Sequence, residues 1–168
     1  MRIISLISGL MLLTHITLAE EITTDNLIIN NNFETGNAND QVTIGDGDNL
    51  INTNDGDDII LVGDGNNFVN SGAGDDIIEI GSGDNIIYAD AGNDNLTVGS
   101  GNNTVHLGFG DDNLTIGSGI NNIYADSGNN VINVNADISE SSNLTTSSNV
   151  NGSTNEINQT IFTTIETA

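Results

Sequence analysis

Asp and Asn side chains recur every nine residues through the middle of the chain, and they are its clearest candidates for chemistry. The two residue types alternate until the last member of the series: Asp40, Asn49, Asp58, Asn67, Asp76, Asn85, Asp94, Asn103, Asp112, Asn121 and Asn130. Carboxylate and amide oxygens are ligands for a hard cation such as Ca2+, which accepts about six to eight of them. A row of repeated carboxylates, which does not converge as a unique pair, predicts cation binding and not catalysis.

Charge is the next constraint on function. The 168 residues include 24 Asp and Glu, and the one basic side chain, Arg2, lies before all of them, so the formal net charge is −23. A charge this large opposes a compact state unless dissolved cations neutralise it. The same charge argues against binding nucleic acid, because phosphates require Lys and Arg, and against binding anionic membranes.

The Asp/Asn series belongs to a longer repeat of nine residues. From Gly36 to Val134 the chain divides into eleven consecutive units without insertion or deletion. The third residue of each unit is Gly except at Ala38, the fifth is Asp or Asn, and the seventh is aliphatic. The first five residues are rich in turn formers, whereas the last four alternate as a strand does.

The repeat predicts an all-β fold, a parallel β-roll or β-solenoid. Residues seven and nine of a unit share one face, which must point inward because residue seven is always apolar. One unit cannot bury that face alone, so two units form an 18-residue coil and the coils stack. About 5.5 coils at the usual strand spacing make a roll roughly 26 Å long. Parallel crossovers predict a right-handed roll.

The units resemble the RTX, or haemolysin-type, calcium-binding nonapeptide repeats, whose motif is Gly-Gly-x-Gly-x-Asp-x-aliphatic-x. Gly72, Gly74, Asp76 and Ile78 match this motif, and the resemblance covers about 99 residues. One departure is systematic, because Ile, Val, Ala, Thr, Ser or Leu replaces the family's first Gly. The resemblance implies several calcium ions, held between successive turns by Asp carboxylates and backbone carbonyls.

Alternation of Asp and Asn predicts two different edges of the roll, because alternate units of an 18-residue coil lie on opposite sides. The Asp edge carries Asp40, Asp58, Asp76, Asp94 and Asp112, and we expect it to bind calcium. Their neighbours Asp57, Asp75 and Asp111 either face solvent or complete a site. The Asn edge carries Asn49, Asn67, Asn85, Asn103 and Asn121, whose amides can form a ladder without metal. Weak sites there could involve Asp46, Asp48, Asp64 and Asp84, and all these acidic residues could instead be simple turn formers.

Four segments are predicted. Residues 1–19 have the basic start, apolar run and small-residue cleavage site of a signal peptide. Residues 20–35 form an N-terminal cap, in which Leu27, Ile28, Ile29 and Phe33 cover the first coil. The roll occupies residues 36–134, and residues 135–168 are a Ser/Asn/Thr-rich linker with a C-terminal tail or cap. We therefore expect a secreted or cell-surface protein, with the periplasm as another destination, whose mature chain does not insert into the membrane.

The outward positions suggest a binding surface. The sixth residues of the early units form apolar stripes on both faces of the roll, which could bind a protein or another surface: Leu50, Ile59, Phe68, Ile77 and Ile86. We expect no enzyme, since the chain lacks Cys and Lys and has only two His residues. The leading hypothesis is a calcium-dependent extracellular structural or adhesion-type module. The alternatives are an ice-binding or crystal-surface-binding protein and a self-assembling matrix component.

Overall fold

Two parallel sheets, built from alternate strands of the chain, face each other in this computed structural model. It describes residues 2–5, 20–24, 32–137, 145–147 and 156–162, with side chains described for residues 32–135. The strands are β1 Arg2–Ser5, β2 Glu20–Thr24, β3 Asn32–Glu34, β4 Gln41–Ile44, β5 Leu50–Asn52, β6 Ile59–Val62, β7 Phe68–Asn70, β8 Ile77–Ile80, β9 Ile86–Tyr88, β10 Asn95–Val98, β11 Thr104–Phe109, β12 Asn113–Ile116, β13 Asn122–Ser127, β14 Val131–Asp137, β15 Thr145–Ser147 and β16 Glu156–Phe162.

The strand order shows that each coil contributes one strand to each sheet. The first sheet has the order β1-β2-β4-β6-β8-β10-β12-β14-β16, and the second has β15-β13-β11-β9-β7-β5-β3. Every pair is parallel, and residues within the repeats pair with the residue 18 positions later, as Ile60 does with Ile78, except at an irregularity where Gly108 pairs with Ala125. The result is a β-solenoid of about six turns with no helix in its described part. The predicted parallel β-roll is confirmed, while its handedness stays a prediction.

The core is a double row of apolar side chains between the two sheets. The seventh residues of the units, such as Ile60 and Leu96, are fully buried. The ninth residues are buried too, and on one side they include the polar Thr53 and Ser71. The inward face that the sequence predicted from positions seven and nine is therefore confirmed.

Third-position glycines allow the coils to stack closely in the turns. Gly74 has φ +142, and a Cβ atom built on it would overlap the carbonyl oxygen of Gly56 one coil earlier. Gly92 has φ +151 and would overlap the carbonyl of Gly74 in the same way. Both the backbone conformation and the close approach therefore require glycine.

Strands outside the repeat units continue both sheets. Phe33 of β3 pairs with Ile51 and is buried, whereas Leu27, Ile28 and Ile29 lie outside the described residues. At the other end β15 pairs with β13, and β16 pairs with β14 over seven residues. The predicted segment boundaries stay a prediction. In the described part of the chain, no helix is long and apolar enough to cross a membrane.

Candidate metal-binding edge

The fifth residue of every unit points into the roll, where its side chain is buried between successive coils. Asp58, Asp76, Asp94 and Asp112 are each linked to the Asp 18 residues earlier, so they stack on one edge. Their exposed fractions are 1% to 2%. The Asn residues stack on the opposite edge and are equally buried. The structure thus contains the Asp edge and the Asn edge, and brings the five predicted inner carboxylates into one row that ends at Asn130.

One oxygen of each stacked carboxylate is bound by the preceding coil. The backbone N–H of Asp58 donates to Asp76 Oδ1 at 2.8 Å, and that of Asp76 donates to Asp94 Oδ1 at 2.9 Å. The other oxygen is buried and has no hydrogen-bond donor in Asp58, Asp76, Asp94 and Asp112. A buried acceptor left in this state costs about 1–3 kcal/mol, and more when it is charged. These Oδ2 atoms therefore require a proton or a cation.

Burial changes the acidity of this row, because removal from water disfavours the charged form. It raises the pKa of Asp58 and of Asp94 to about 7 and the pKa of Asp112 to about 6. The pKa of Asp76 is raised for the same reason. Backbone N–H groups from the preceding coil lower the pKa of each carboxyl, but the effect of burial is larger.

On the Asn edge, the side-chain amide groups make the hydrogen bonds that the inner Asp carboxylates lack. Asn67 Oδ1 accepts the backbone N–H of Asn49 at 3.1 Å, as an inner Asp would. Asn67 Nδ2 then donates to the carbonyl of Gly65 at 3.0 Å and to Asn85 Oδ1 at 3.1 Å. Asn85 and Asn103 repeat these bonds. The amide NH2 group thus places hydrogens among oxygen atoms where the corresponding Asp offers only another oxygen.

The acidic residues next to the inner row lie outside it. Asp57, Asp75 and Asp111 are exposed. The Oδ1 atom of Asp75 accepts the backbone N–H of Asn93, one coil later, at 2.7 Å, and Asp57 and Asp111 make the equivalent bond. On the outside of the Asn edge, similar bonds to backbone N–H groups are made by Asp46, Asp48, Asp64 and Asp84. These outer carboxylates therefore join coils together, and the structure does not bring them into the buried row.

The backbone also differs between the two edges at the first residue of the turn. On the Asp edge Asn54 and Asp90 have φ 66 and 65, and Gly72 and Gly108 are also positive. Asn, Asp and Gly are the residues that tolerate this conformation. Here the N–H of Phe109 donates to the Asp90 carbonyl at 2.7 Å. The first-position glycines of the Asn edge do not adopt positive φ.

Comparison with known families agrees with this architecture. The sequence model of the RTX calcium-binding nonapeptide repeat matches residues 43–78, 79–114 and 115–137, which together exceed half of the chain. The chain belongs to the RTX calcium-binding repeat family. Its RTX repeats therefore bind calcium. No curated protein and no solved structure matches the chain.

Calcium fits the Asp edge of these RTX repeats by the chemistry of the available atoms. Asp58, Asp76, Asp94 and Asp112 offer buried oxygens without donors, and oxygen is the ligand that Ca2+ requires. Within the described residues, no three His, Asp or Glu side chains converge as a metal cluster. Carboxylates from successive coils must therefore be supplemented by neutral oxygens of the turns.

One group of polar residues was not singled out from the sequence. Thr35, Thr53 and Ser71 are buried hydroxyl residues that stand immediately before three units of the Asp edge. They occupy the place of the family's first Gly, the position at which this sequence departs from the RTX motif. Their clustering on one edge and in the first coils is the signal that could have identified them.

Proposed function

We propose that this chain is an exported structural module whose calcium ions lie along the Asp edge alone. The observation that carries this proposal is the row of buried Oδ2 atoms without donors in Asp58, Asp76, Asp94 and Asp112. The corresponding Asn amides of the other edge donate hydrogens to turn carbonyls and to each other. The Asn edge thus supplies amide N–H donors of its own, and the Asp edge binds a cation in their place.

The proposed ligands are the five inner carboxylates, together with carbonyl oxygens of the turns between them: Asp40, Asp58, Asp76, Asp94 and Asp112. Calcium held by these residues would supply the positive charge that keeps the carboxylates ionised. The protein's part is to hold Oδ1 of each Asp on a backbone N–H, which orients Oδ2 toward the site. The outer Asp57, Asp75 and Asp111 serve as links between coils and are not ligands in this proposal.

Calcium binding and ordering of the roll are coupled in this proposal. After removal of residues 1–19 the chain has no Lys or Arg to pair with its carboxylates. Stacking ionised carboxylates in the folded roll is favourable only when the metal is present. The free energy of calcium binding therefore contributes to the free energy of folding. The signal-peptide pattern of residues 1–19 supports a setting outside the cytoplasm.

The exposed faces of the roll support a role in interaction. Leu50, Phe68 and Ile86 lie in adjacent strands of one sheet and are 37% to 44% exposed. Ile59 and Ile77 form a smaller patch on the other sheet. Contiguous exposed apolar residues are typical of binding surfaces. We propose that the module uses these patches to bind a protein or another surface.

Stacked aromatic rings extend the larger apolar patch toward the C-terminal coils. Phe68 contacts Tyr88 with a centroid distance of 5.7 Å. His106 is stacked between Tyr88 and Tyr124 at 4.5 Å and 4.4 Å. The side chains of adjacent coils thus form one continuous band on this face, which adds to the proposed interaction surface.

Ice or crystal-surface binding is the alternative function. It favours a regular outer rank of Thr or Asn residues. The aligned outer residues of the first sheet are irregular, since Leu61 and Glu79 interrupt the rank: Thr43, Leu61, Glu79, Thr97 and Thr115. A thermal-hysteresis assay tests this alternative, and concentration-dependent light scattering tests self-assembly.

Calcium titration of residues 20–168 tests the main proposal with two matched variants. The inner variant D58N/D76N/D94N/D112N converts the Asp edge into a second Asn edge. The outer variant D57N/D75N/D111N removes carboxylates from the same turns but keeps the Oδ1 atoms that accept backbone N–H groups. Calorimetry measures calcium binding, and circular dichroism measures β structure with and without calcium.

We expect the wild-type chain and the outer variant to bind calcium similarly and to gain β structure or stability from it. The inner variant should lose most of the calcium binding and should form the roll in the presence of a chelator. Calcium binding that survives in the inner variant and disappears in the outer variant contradicts the ligand assignment.

A further inference from the structure

A buried row of hydroxyl groups runs beside the first half of the Asp edge. Thr35, Thr53 and Ser71 stand immediately before the units that contain Asp40, Asp58 and Asp76, and each is 0% or 1% exposed. Apolar residues take the same position in the later coils: Ala89, Leu107 and Ala125. The Asp edge therefore has two chemically different halves.

Each hydroxyl hydrogen in this row is used by the next coil. Thr35 Oγ1 donates to the carbonyl of Thr53 at 3.0 Å, and Thr53 Oγ1 donates to the carbonyl of Ser71 at 3.0 Å. Ser71 Oγ donates to the carbonyl of Ala89 at 3.2 Å. A hydroxyl group has one hydrogen and two acceptor lone pairs, so these oxygens remain acceptors toward their other neighbours.

Those neighbours are carboxylates of the inner row. The Thr53 hydroxyl is near enough to the Asp58 carboxyl to lower its pKa, and the Ser71 hydroxyl acts on the pKa of Asp76 in the same way, although burial outweighs both effects. Because the hydroxyl hydrogens are directed to carbonyls, Oδ2 of both Asp residues has no donor. Each turn thus holds a buried hydroxyl oxygen, whose hydrogen is used elsewhere, and a buried Oδ2 atom without a donor, an arrangement that a cation would stabilise.

We infer that the hydroxyl oxygens of Thr53 and Ser71 are additional calcium ligands, so that the sites at Asp58 and Asp76 bind calcium more tightly than those at Asp94 and Asp112. This inference rests on the proposed function, because it requires calcium on the Asp edge. Calcium prefers a large number of oxygen ligands. At Asp94 and Asp112 the methyl group of Ala89 or the isobutyl group of Leu107 stands where the earlier sites have an oxygen.

Two substitutions of Thr53 separate a ligand from a packing role. Thr53→Val keeps the branched shape and removes the oxygen, whereas Thr53→Ser keeps the oxygen and removes a buried methyl group. If the oxygen binds calcium, T53V should weaken one tight site about fivefold, the effect of losing one favourable polar interaction. T53S should retain its calcium affinity within about twofold although it loses some packing. Calorimetric titration with calcium alone measures both.

Ala89 offers the reciprocal test. Ala89→Ser places a hydroxyl group before the turn of Asp94, and we expect it to convert a weak site into a third tight one. Ala125→Ser is the matched control, because it places the same group before the turn of Asn130, which carries no carboxylate. We expect the calcium affinity of A125S to equal that of the wild-type chain.

The inference is overturned if T53S weakens calcium binding more than T53V does, or if A89S and A125S behave alike. Either result assigns the hydroxyl groups a role in packing only, while leaving calcium on the Asp edge. If the unsubstituted chain itself takes up no calcium, the proposed function fails and the inference fails with it. The two failures are therefore distinguishable from a single set of titrations.

Discussion

Asp94 and Asn103 hold the same position in consecutive repeat units, and each accepts a backbone N–H through Oδ1. Their other terminal atoms differ. Asn103 Nδ2 donates to the carbonyl of Gly101 at 3.1 Å and to Asn121 Oδ1 at 3.0 Å, whereas Asp94 Oδ2 has no donor. At the residue scale, replacement of one nitrogen by oxygen therefore decides whether a turn needs a cation.

Asp94→Asn should stabilise the calcium-free protein and reduce its response to calcium. The new amide can donate to oxygens of the turn. It thereby removes a buried acceptor without a donor, which should raise the free energy of unfolding by about 1–3 kcal/mol. Urea denaturation in chelator and in millimolar calcium measures both effects. The control is Asp111→Asn, which is exposed and should change stability by less than about 0.5 kcal/mol. Equal effects of the two substitutions would contradict the assignment.

The raised pKa values predict that the calcium-free protein becomes less stable as pH rises. The unfolded carboxyls release their protons near their ordinary pKa of 3.8, while the folded Asp58 and Asp94 hold theirs until their pKa of about 7. The unfolded state thus binds fewer protons across this range, so the free energy of unfolding falls from about pH 4 to pH 7.

Denaturation midpoints of calcium-free protein at several pH values check this dependence. We expect the calcium requirement to be weakest near pH 4, where protons occupy Oδ2, and strongest above pH 7. A free energy of unfolding that increases over this interval would falsify the burial of unpaired carboxyls. The inner variant, D58N/D76N/D94N/D112N, should show a much flatter profile because it lacks these groups.

At the scale of the elements, the turns restrict which amino acids each coil can contain more than the strands do. Strand residues at position seven can be Val, Ile or Leu because they only fill the core. Gly92, in contrast, lies over the carbonyl of Gly74 with positive φ. The turn therefore tolerates no side chain at this position, and the spacing between coils depends on it.

Gly92→Ala should destabilise the roll by about 3 kcal/mol or more, because it combines a backbone conformation unsuited to Ala with a steric overlap. Ala91→Gly, in the same turn, is the control and should cost about 1 kcal/mol or less. Thermal unfolding in saturating calcium compares the two variants. Similar melting temperatures for them would show that the coils can separate without loss of stability.

At the scale of the whole molecule, the charged side chains and the apolar and aromatic side chains lie on different surfaces. The carboxylates of the repeats are concentrated in the turns, and the two sheet faces carry mainly apolar, aromatic, Asn and Thr side chains. A formal charge of −23 opposes close stacking of these turns. Calcium at the proposed sites on the Asp edge would offset part of this charge without covering the faces proposed for interaction.

The number of bound ions is the prediction for the whole molecule. Five inner Asp residues leave four gaps between successive carboxylates, so we expect about four calcium ions per chain at saturation, of which the earlier ones bind more tightly. Native mass spectrometry and calorimetry measure this number. A count near twice this value would mean that the Asn edge also binds calcium, which its amide ladder does not favour. Magnesium should not substitute, because it requires stricter octahedral geometry.

The sequence by itself determined the repeat, the parallel roll and the separation of Asp and Asn onto two edges. These features follow from local and periodic chemistry: Gly-rich turns, strands with alternating apolar residues, and an 18-residue coil that brings Asp58 over Asp40. Asp alternating with Asn at the fifth position was enough to predict the row of stacked carboxylates at which we propose that calcium binds. The RTX motif added the identity of that cation.

Only the tertiary structure decided which oxygens are buried and which are already bonded. Asp75 and Asp76 are adjacent in sequence, yet Asp75 is exposed and bonded to the next coil while Asp76 is buried with one oxygen lacking a donor. The hydroxyl row of Thr53 and Ser71 also appeared only after stacking, since its bonds join residues 18 positions apart. Burial and hydrogen-bond partners depend on neighbouring coils, and composition alone does not contain that information.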